Sequence, residues 1–204
     1  MNFLAHVYLS DDIPKRQIGN FIADAVKGQL YQAYEDEIRL GILLHRKIDT
    51  FTDAHPFFRQ SVRRLFDKFR HFSPVIVDMF FDHFLAKHWH KFHSVPLEQF
   101  VDSFYTSLKQ HESVLPERTH RMLPFLFSEN WLCQYQDVLG LKTILIQMDK
   151  RTQNKSMMRF ATESLETDYE SYQADFFNFM PEIQQFVANT LDEIKHNIKC
   201  NNVN

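Results

Sequence analysis

Apolar residues recur every three or four positions along most of the chain, which is the spacing of helices that bury one face. The predicted helices, in chain order, cover about residues 2–10, 15–34, 35–53, 57–70, 73–90, 96–108, 139–151, 157–179 and 181–198. Pro116 and Pro124 interrupt a stretch that is predicted to be less regular and that includes Trp131. The pattern therefore predicts an all-α protein.

Composition supports long helices with short connections, because 204 residues contain only 4 Gly and 7 Pro. No internal repeat or linker divides the sequence, so we expect one all-helical domain over residues 1–204, with a frayed tail from about residue 199. The chain is also rich in phenylalanine, with 21 residues. These rings favour a Phe-packed helical core, although a lipid-lined tunnel would use them too.

The net charge of −3 does not favour general nucleic-acid binding. Charge is unevenly distributed, however: residues 13–91 hold 13 Lys/Arg against 9 Asp/Glu, and residues 92–204 hold 10 against 15. A basic first half suits an anionic substrate or partner.

Cysteine usage and the apolar runs point to a cytoplasmic protein. Cys133 and Cys200 are far apart, which excludes a disulfide framework and a thiolate zinc site. The first residues lack the basic start and apolar run of a signal peptide, and no run of 18 apolar residues predicts a membrane span.

One helix carries a ladder of polar residues beside its apolar face. His45, Asp49 and Asp53 stand at i, i+4 and i+8, so a helix places them along one face, about one turn apart. Ile42 and Ile48 lie between them, which indicates that the helix packs against the core. Such a face suits a buried metal site, although three residues can also align by chance.

Other His and Asp residues lie inside apolar helices in the same half of the chain, namely His6, Asp24, Asp82 and His83. A buried carboxylate without a partner is costly. Salt bridges to Arg46 or Lys47 would satisfy some of them, and a shared divalent metal would satisfy all of them. Carboxylates and imidazoles without thiols suit Mg²⁺, Mn²⁺ or Fe rather than structural zinc.

Several motifs occur in an order and spacing that resemble those of the bacterial acyl carrier protein phosphodiesterases. They are Met1-Asn2-Phe3-Leu4-Ala5-His6, Gly19-Asn20-Phe21-Ile22-Ala23-Asp24, Gly41 through His45-Arg46-Lys47-Ile48-Asp49 to Asp53, Asp82-His83-Phe84-Leu85 with His88-Trp89, and Ser128-Glu129-Asn130-Trp131-Leu132. The likeness covers about residues 1–135. It departs at Lys47, where the family-like motif has arginine, and in a longer tail.

The resemblance implies an all-helical variant of the HD-type metal-dependent phosphohydrolases. It implies hydrolysis of the phosphodiester that joins 4′-phosphopantetheine to a serine of holo-acyl carrier protein, with Mn²⁺ or Mg²⁺ as cofactor and Fe also possible. The expected metal ligands are His6, Asp24, His45 and Asp82. The expected catalytic residues are Asp49, His83 and Arg46.

The carrier proteins implied as substrates are small, helical and strongly acidic, which predicts a basic docking surface. Arg59, Arg63, Arg64 and Lys68 share one broad helix face directly after the ladder. We therefore expect substrate binding by Lys47, Asp53, Arg59, Arg63 and Arg64. A solvated face without a partner is the alternative.

Two other functions stay open at this stage. One is an HD-like phosphohydrolase acting on a nucleotide or another small phosphoester. The other is a non-enzymatic helical scaffold whose His and Asp residues merely pair in the core.

Overall fold

The computed structural model describes residues 2–201, with side chains through Lys195 and at Ile198, and its regular structure there is entirely helical. The α-helices are α1 Phe3–Tyr8, α2 Pro14–Ile22, α3 Asp36–Ala54, α4 Pro56–Phe69, α5 Ser73–Lys87, α6 Leu97–Gln110, α7 Glu117–Ser128, α8 Trp131–Gln134, α9 Val138–Arg151, α10 Ala161–Thr167 and α11 Tyr169–Asn201. The predicted all-α, single-domain fold is confirmed. None of these helices is both long and apolar enough to span a bilayer.

Helix α5 lies at the centre of the core, and phenylalanines pack around it. Phe81 on α5 contacts the rings of Phe176 and Phe179 on α11, with centroids 5.6 and 5.4 Å apart. All three side chains are fully buried. The prediction that phenylalanines fill the helical core is therefore confirmed.

Two glycines bring α2 and α3 into backbone contact. A Cβ atom at Gly19 would lie 2.0 Å from the carbonyl oxygen of Ile38, and one at Gly41 would lie 2.2 Å from that of Arg16. No side chain fits at either position, so glycine allows the two helices to touch. This close approach sets the distance between polar residues on α2 and the His/Asp ladder on α3.

The helix predicted over residues 15–34 ends earlier than expected. Helix α2 stops at Ile22, and two 3₁₀ turns follow at Ala23–Ala25 and Leu30–Ala33. Gly28 has a φ of +53°, which is incompatible with a continuing helix. The Arg46 guanidinium donates to the carbonyl oxygens of Val26 and Gly28. In a continuing helix, these oxygens would accept backbone N–H groups of the helix itself. The prediction was wrong here because these long-range hydrogen bonds replace helical ones.

Two regions are more helical than the sequence predicted. Residues predicted to be irregular form α7 and α8, and Pro124 lies inside α7. Helix α11 continues through Pro181, where a break was expected, because buried Met180 and Ile183 keep its apolar face packed on both sides of the proline. It also extends to Asn201, and residues 202–204 of the predicted frayed tail lie outside the described part of the chain.

Candidate metal centre

Three side chains from two helices converge at one point. His6 lies on α1, and His45 and Asp49 lie one turn apart on α3. The Nε2 atom of His6 is 3.2 Å from Asp49 Oδ1, and the Nε2 atom of His45 is 3.1 Å from Asp49 Oδ2. The two imidazole rings stack with centroids 4.0 Å apart. Both rings therefore direct Nε2 toward one carboxylate.

Asn20 orients the ring of His45. Its Oδ1 atom is 3.1 Å from His45 Nδ1, so this nitrogen donates and carries the proton in the neutral ring. The Nδ2 atom of Asn20 donates to Ser10 Oγ, which donates to the carbonyl oxygen of His6. This buried chain links the His45 ring to the backbone of His6 and leaves the lone pair of the neutral His45 ring on Nε2.

Asp24 approaches the cluster from the 3₁₀ turn that follows α2. Its Oδ1 atom is 3.5 Å from His45 Nε2, and 65% of its side chain is exposed. The hydrogen bond with His45 lowers the pKa of Asp24. It is therefore an ionised carboxylate at the edge of the cluster, facing solvent.

The electrostatics of the cluster favour protonation of only one of its two histidines, His45. Burial alone would lower the pKa of His45, but its contacts with Asp24 and Asp49 outweigh burial and raise this pKa to about 9. Burial and the neighbouring His45 lower the pKa of His6 to about 4. Burial also opposes ionisation of Asp49, yet its contacts with both histidines hold its pKa well below the usual range. His45 therefore carries the proton, and a metal ion bound at its Nε2 would take the place of that proton.

These residues fit a divalent metal ion. Among the described residues, neither ring nitrogen of buried His6 has a partner with the geometry of a hydrogen bond, although Nε2 lies 3.2 Å from Asp49 Oδ1. One ligand atom from each of His6, His45 and Asp49 lies within 4.8 Å of the other two. Neighbouring ligands of an octahedral ion with bonds of ~2.1 Å are about 3 Å apart, which is close to the observed contacts.

The cluster opens into a cavity of about 680 Å³. Asp53 and Asp78 line it beside the cluster. Burial raises the pKa of Asp78. Asp78 was not among the site residues predicted from the sequence, although it stands one helical turn before Asp82 and so shares a helix face with it. Arginines from α7 and α9 also line this cavity, and those of α7 were missed because the stretch around Pro116 and Pro124 was expected to be less regular.

The structure does not bring Asp82 to the cluster. Its carboxylate oxygens accept the backbone N–H groups of Leu4 (2.9 Å) and Ala5 (3.2 Å), in the first turn of α1. Burial raises the pKa of Asp82 to about 7 in spite of these hydrogen bonds. Asp82 therefore anchors the helix that carries His6, and it does not face the cavity.

His83 also lies away from the cavity. Its Nδ1 atom donates to the carbonyl oxygen of Tyr135, and its Nε2 atom accepts from the hydroxyl of Tyr169, both at 2.8 Å. Burial lowers the pKa of His83 to about 4. Both ring nitrogens are engaged in packing α5 against the later helices, which does not favour the expected catalytic role.

The predicted basic residues have different positions from those expected. Arg46 points to the loop after α2 and stacks over Tyr31, and Lys47 is exposed without lining the cavity. Arg64 forms an ion pair with Asp175 and another, at 3.2 Å, with Asp168. It therefore holds α4 against α11 and is not available for docking.

The remaining members of the predicted docking face are Lys68, which forms an ion pair with Glu163 at 3.3 Å, and Arg59 and Arg63, all on α4. Arg59 Nε donates to the carbonyl oxygen of Asp53 at 2.8 Å, and Arg63 is exposed. Neither lines the cavity.

Comparisons with known proteins agree on one family. Residues 1–183 match the family described as acyl carrier protein phosphodiesterase. The chain is 32% identical over 186 residues to a protein of that name from Pectobacterium atrosepticum, covering 91% of this chain and 96% of the relative. It is 30% identical over 192 residues to another from Photorhabdus laumondii, covering 93% and 96%. No solved structure matches the chain, so the likeness to HD-type phosphohydrolases stays a prediction.

Proposed function

This chain belongs to the acyl carrier protein phosphodiesterase family, and we propose that it hydrolyses the phosphodiester linking 4′-phosphopantetheine to a serine of holo-acyl carrier protein. Water forms the new bond to phosphorus, the bond from phosphorus to the serine oxygen breaks, and the serine leaves with a proton. The products are apo-carrier and free 4′-phosphopantetheine. The observation that carries the proposal is the cluster of His6, His45 and Asp49 at a cavity inside the family-matching region.

We infer that these three residues hold a divalent metal ion. Two imidazoles and a carboxylate suit Mn²⁺ or Fe²⁺ better than Mg²⁺, which prefers oxygen ligands. A bound ion would lower the pKa of a water molecule and neutralise charge on the phosphoryl oxygens. Asn20 would keep His45 in the tautomer that presents Nε2.

Asp24 was expected to be a metal ligand and Asp49 a catalytic residue. The geometry favours the reverse assignment. Asp49 contacts both histidines and fits a ligand, whereas Asp24 lies at the exposed edge of the cluster. An ionised Asp24 would accept the proton of the attacking water. Asp78 lines the same cavity, and its raised pKa suits a carboxyl group that returns a proton to the serine oxygen.

Mass spectrometry of a holo-carrier incubated with the protein and Mn²⁺ tests the proposal. We expect the carrier to lose the mass of 4′-phosphopantetheine. Asp24→Asn should keep its metal content but lose roughly 100-fold or more in rate, as expected for a general base. Asp67→Asn, an exposed change on α4, is the matched control and should behave as wild type.

Two outcomes would contradict the proposal. An unchanged holo-carrier across several carriers and metals would exclude this activity. Faster turnover of a nucleotide phosphoester in a parallel panel would favour the alternative phosphohydrolase.

A further inference from the structure

Helix α7 exposes a second face that does not belong to the core. Arg118, Arg121, Met122 and Phe125 stand at i, i+3, i+4 and i+7, so they form one stripe along the helix. All four line the cavity that contains the His/Asp cluster, and Phe125 is 58% exposed. The core face of the same helix is formed by other residues, including buried Leu126.

Arg151, at the end of α9, lines the same cavity as this stripe. Its guanidinium lies 5.5 Å from the centre of the Trp131 ring, and Trp131 makes an edge contact with Phe3 at 6.2 Å. Phe3 is one turn from His6 on α1. A continuous wall thus leads from the arginines to the cluster, and we call Arg118, Arg121, Met122, Phe125 and Arg151 the cavity lip.

The cavity lip carries positive charge that the described part of the chain leaves largely uncompensated. Arg118 makes no ion pair or hydrogen bond with another described residue. The ion pair of Arg121 is with Glu117 on its own helix, and both side chains are more than 70% exposed (77% and 74%). The carboxylates Asp24, Asp49 and Asp78 lie on other helices that line the cavity. The cavity therefore has an acidic side that suits a cation and a basic lip that suits an anionic partner.

We propose that the cavity lip docks the acidic surface of the carrier protein next to its phosphopantetheine-bearing serine. The inference rests on the function proposed above. Only the Cβ and Oγ atoms of that serine separate its backbone from the phosphorus atom. The carrier surface must therefore reach the rim of the cavity whenever the phosphorus reaches the cluster, and a patch elsewhere cannot replace the rim.

The chemistry of the cavity lip fits a protein partner better than a free phosphate. Arginine, methionine and phenylalanine are enriched at protein interfaces, and an exposed aromatic side chain beside arginines can pack against a partner while the charges pair. The rival surface on α4 is less suited. Arg64 is held by Asp168 and Asp175, and neither Arg59 nor Arg63 lines the cavity.

Binding of apo-carrier tests this surface without any bond being cleaved. The test variant is Arg118→Glu with Arg121→Glu, the rival-surface variant is Arg59→Glu with Arg63→Glu, and the charge-matched control is Lys142→Glu with Lys155→Glu at exposed positions outside the cavity. Kd would be measured by calorimetry at several salt concentrations. Thermal unfolding of each variant would confirm that it folds.

We expect the Arg118/Arg121 variant to bind apo-carrier at least roughly tenfold more weakly at low salt, with a flatter salt dependence. The control should stay within about twofold of wild type. Hydrolysis of bis(p-nitrophenyl) phosphate, which needs no carrier surface, should be nearly equal in wild type and in the Lys142/Lys155 control. Unchanged affinity in the Arg118/Arg121 variant, or an equal loss in the Arg59/Arg63 variant, would overturn the docking proposal.

Binding of apo-carrier and cleavage of holo-carrier, measured on the same proteins, separate the docking proposal from the proposed function. If wild-type protein binds apo-carrier but never releases 4′-phosphopantetheine from holo-carrier, the proposed function fails. If wild-type protein releases it and the Arg118/Arg121 variant binds and cleaves like wild type, the docking surface alone fails.

Discussion

The His45/Asp49 pair of α3 and the Asp82/His83 pair of α5 look alike in sequence but have different roles in the structure. On α3, His45 and Asp49 stand one turn apart and direct their polar atoms to a cavity. On α5, adjacent Asp82 and His83 point in different directions, and all of their polar contacts are internal. Residue type alone therefore does not distinguish a ligand from a structural group. What distinguishes them is whether the backbone or a tyrosine already occupies their hydrogen-bonding atoms.

The two regions are nevertheless connected. Asp82 holds the first turn of α1, and α1 carries His6 into contact with Asp49. The α5 pair therefore supports the α3 site through the position of a helix. Removing a ligand and removing the support should consequently have effects of different kinds.

The largest effect should follow the loss of a cluster side chain. His45→Ala or Asp49→Ala should weaken Mn²⁺ binding by more than roughly 100-fold, because a direct ligand matters more than the outer partners whose loss costs 10–100-fold. Calorimetric titration and metal analysis after dialysis would measure this. Retention of wild-type affinity by both folded variants would exclude the α3 site.

A smaller effect should follow the loss of the residue that orients His45. Asn20→Ala removes the acceptor of the His45 Nδ1 proton and should weaken Mn²⁺ binding by roughly 10–100-fold. Gln17→Ala, one turn earlier on α2, is the matched control and should leave the affinity unchanged. Equal affinities for both variants would show that the Asn20 contact does not tune the site.

Asp82 should affect folding more than metal binding. Asp82→Ala leaves the N–H groups of Leu4 and Ala5 without acceptors and should lower the free energy of unfolding by about 1–3 kcal/mol. Asp82→Asn keeps one acceptor oxygen and should recover part of this loss. Denaturant unfolding would measure both. A folded Asp82→Asn protein without Mn²⁺ affinity would instead identify Asp82 as a ligand.

The smallest effect on catalysis should come from His83. His83→Gln should keep carrier hydrolysis within about threefold of wild type, because His83 does not line the cavity and glutamine can both donate to Tyr135 and accept from Tyr169. A loss of activity comparable with that of His45→Ala would restore the catalytic role expected from the sequence.

His83 should instead affect the pH dependence of stability. Its pKa is about 4 in the folded protein and 6.5 in the unfolded chain, so only the unfolded chain binds a proton between these values. The contribution of neutral His83 is complete above pH 6.5 and falls by up to about 1.4 kcal/mol per pH unit as the pH approaches 4. The difference in unfolding free energy between wild type and His83→Gln should therefore shrink over this range. A constant difference would contradict the shifted pKa.

Helices with clear apolar periodicity could be predicted from the sequence, whereas their interruptions depended on distant residues. Helix α3 was predicted to within a residue or two because its apolar spacing, acidic start and His55-Pro56 stop are local. The end of α2 was missed because Arg46, 20 residues after Val26, takes up the carbonyl groups that a helix would use. Pro181 suggested a break, but apolar packing on both sides of it keeps α11 continuous.

At the candidate site, residue spacing predicted which polar residues share one face of a single helix. It could not predict the direction in which residues on other helices face. The ladder on α3 is a local pattern, and His6 was selected because it lies inside an apolar helix and also in a family-like motif. Whether Asp82 reaches the cluster depends on how α1 lies against α5, which no local pattern encodes. Arg118 and Arg121 of the cavity lip were missed because two prolines obscured the regular spacing of α7.

The position of a bound metal ion tests the central claim most directly. Crystals of the protein grown with Mn²⁺ would be measured for anomalous scattering, which locates the ion independently of activity. We predict a peak roughly 2.0–2.3 Å from Nε2 of His6, from Nε2 of His45 and from an oxygen of Asp49. A peak beside Asp82 and His83, or no peak in crystals of protein that hydrolyses holo-carrier with Mn²⁺, would contradict this account.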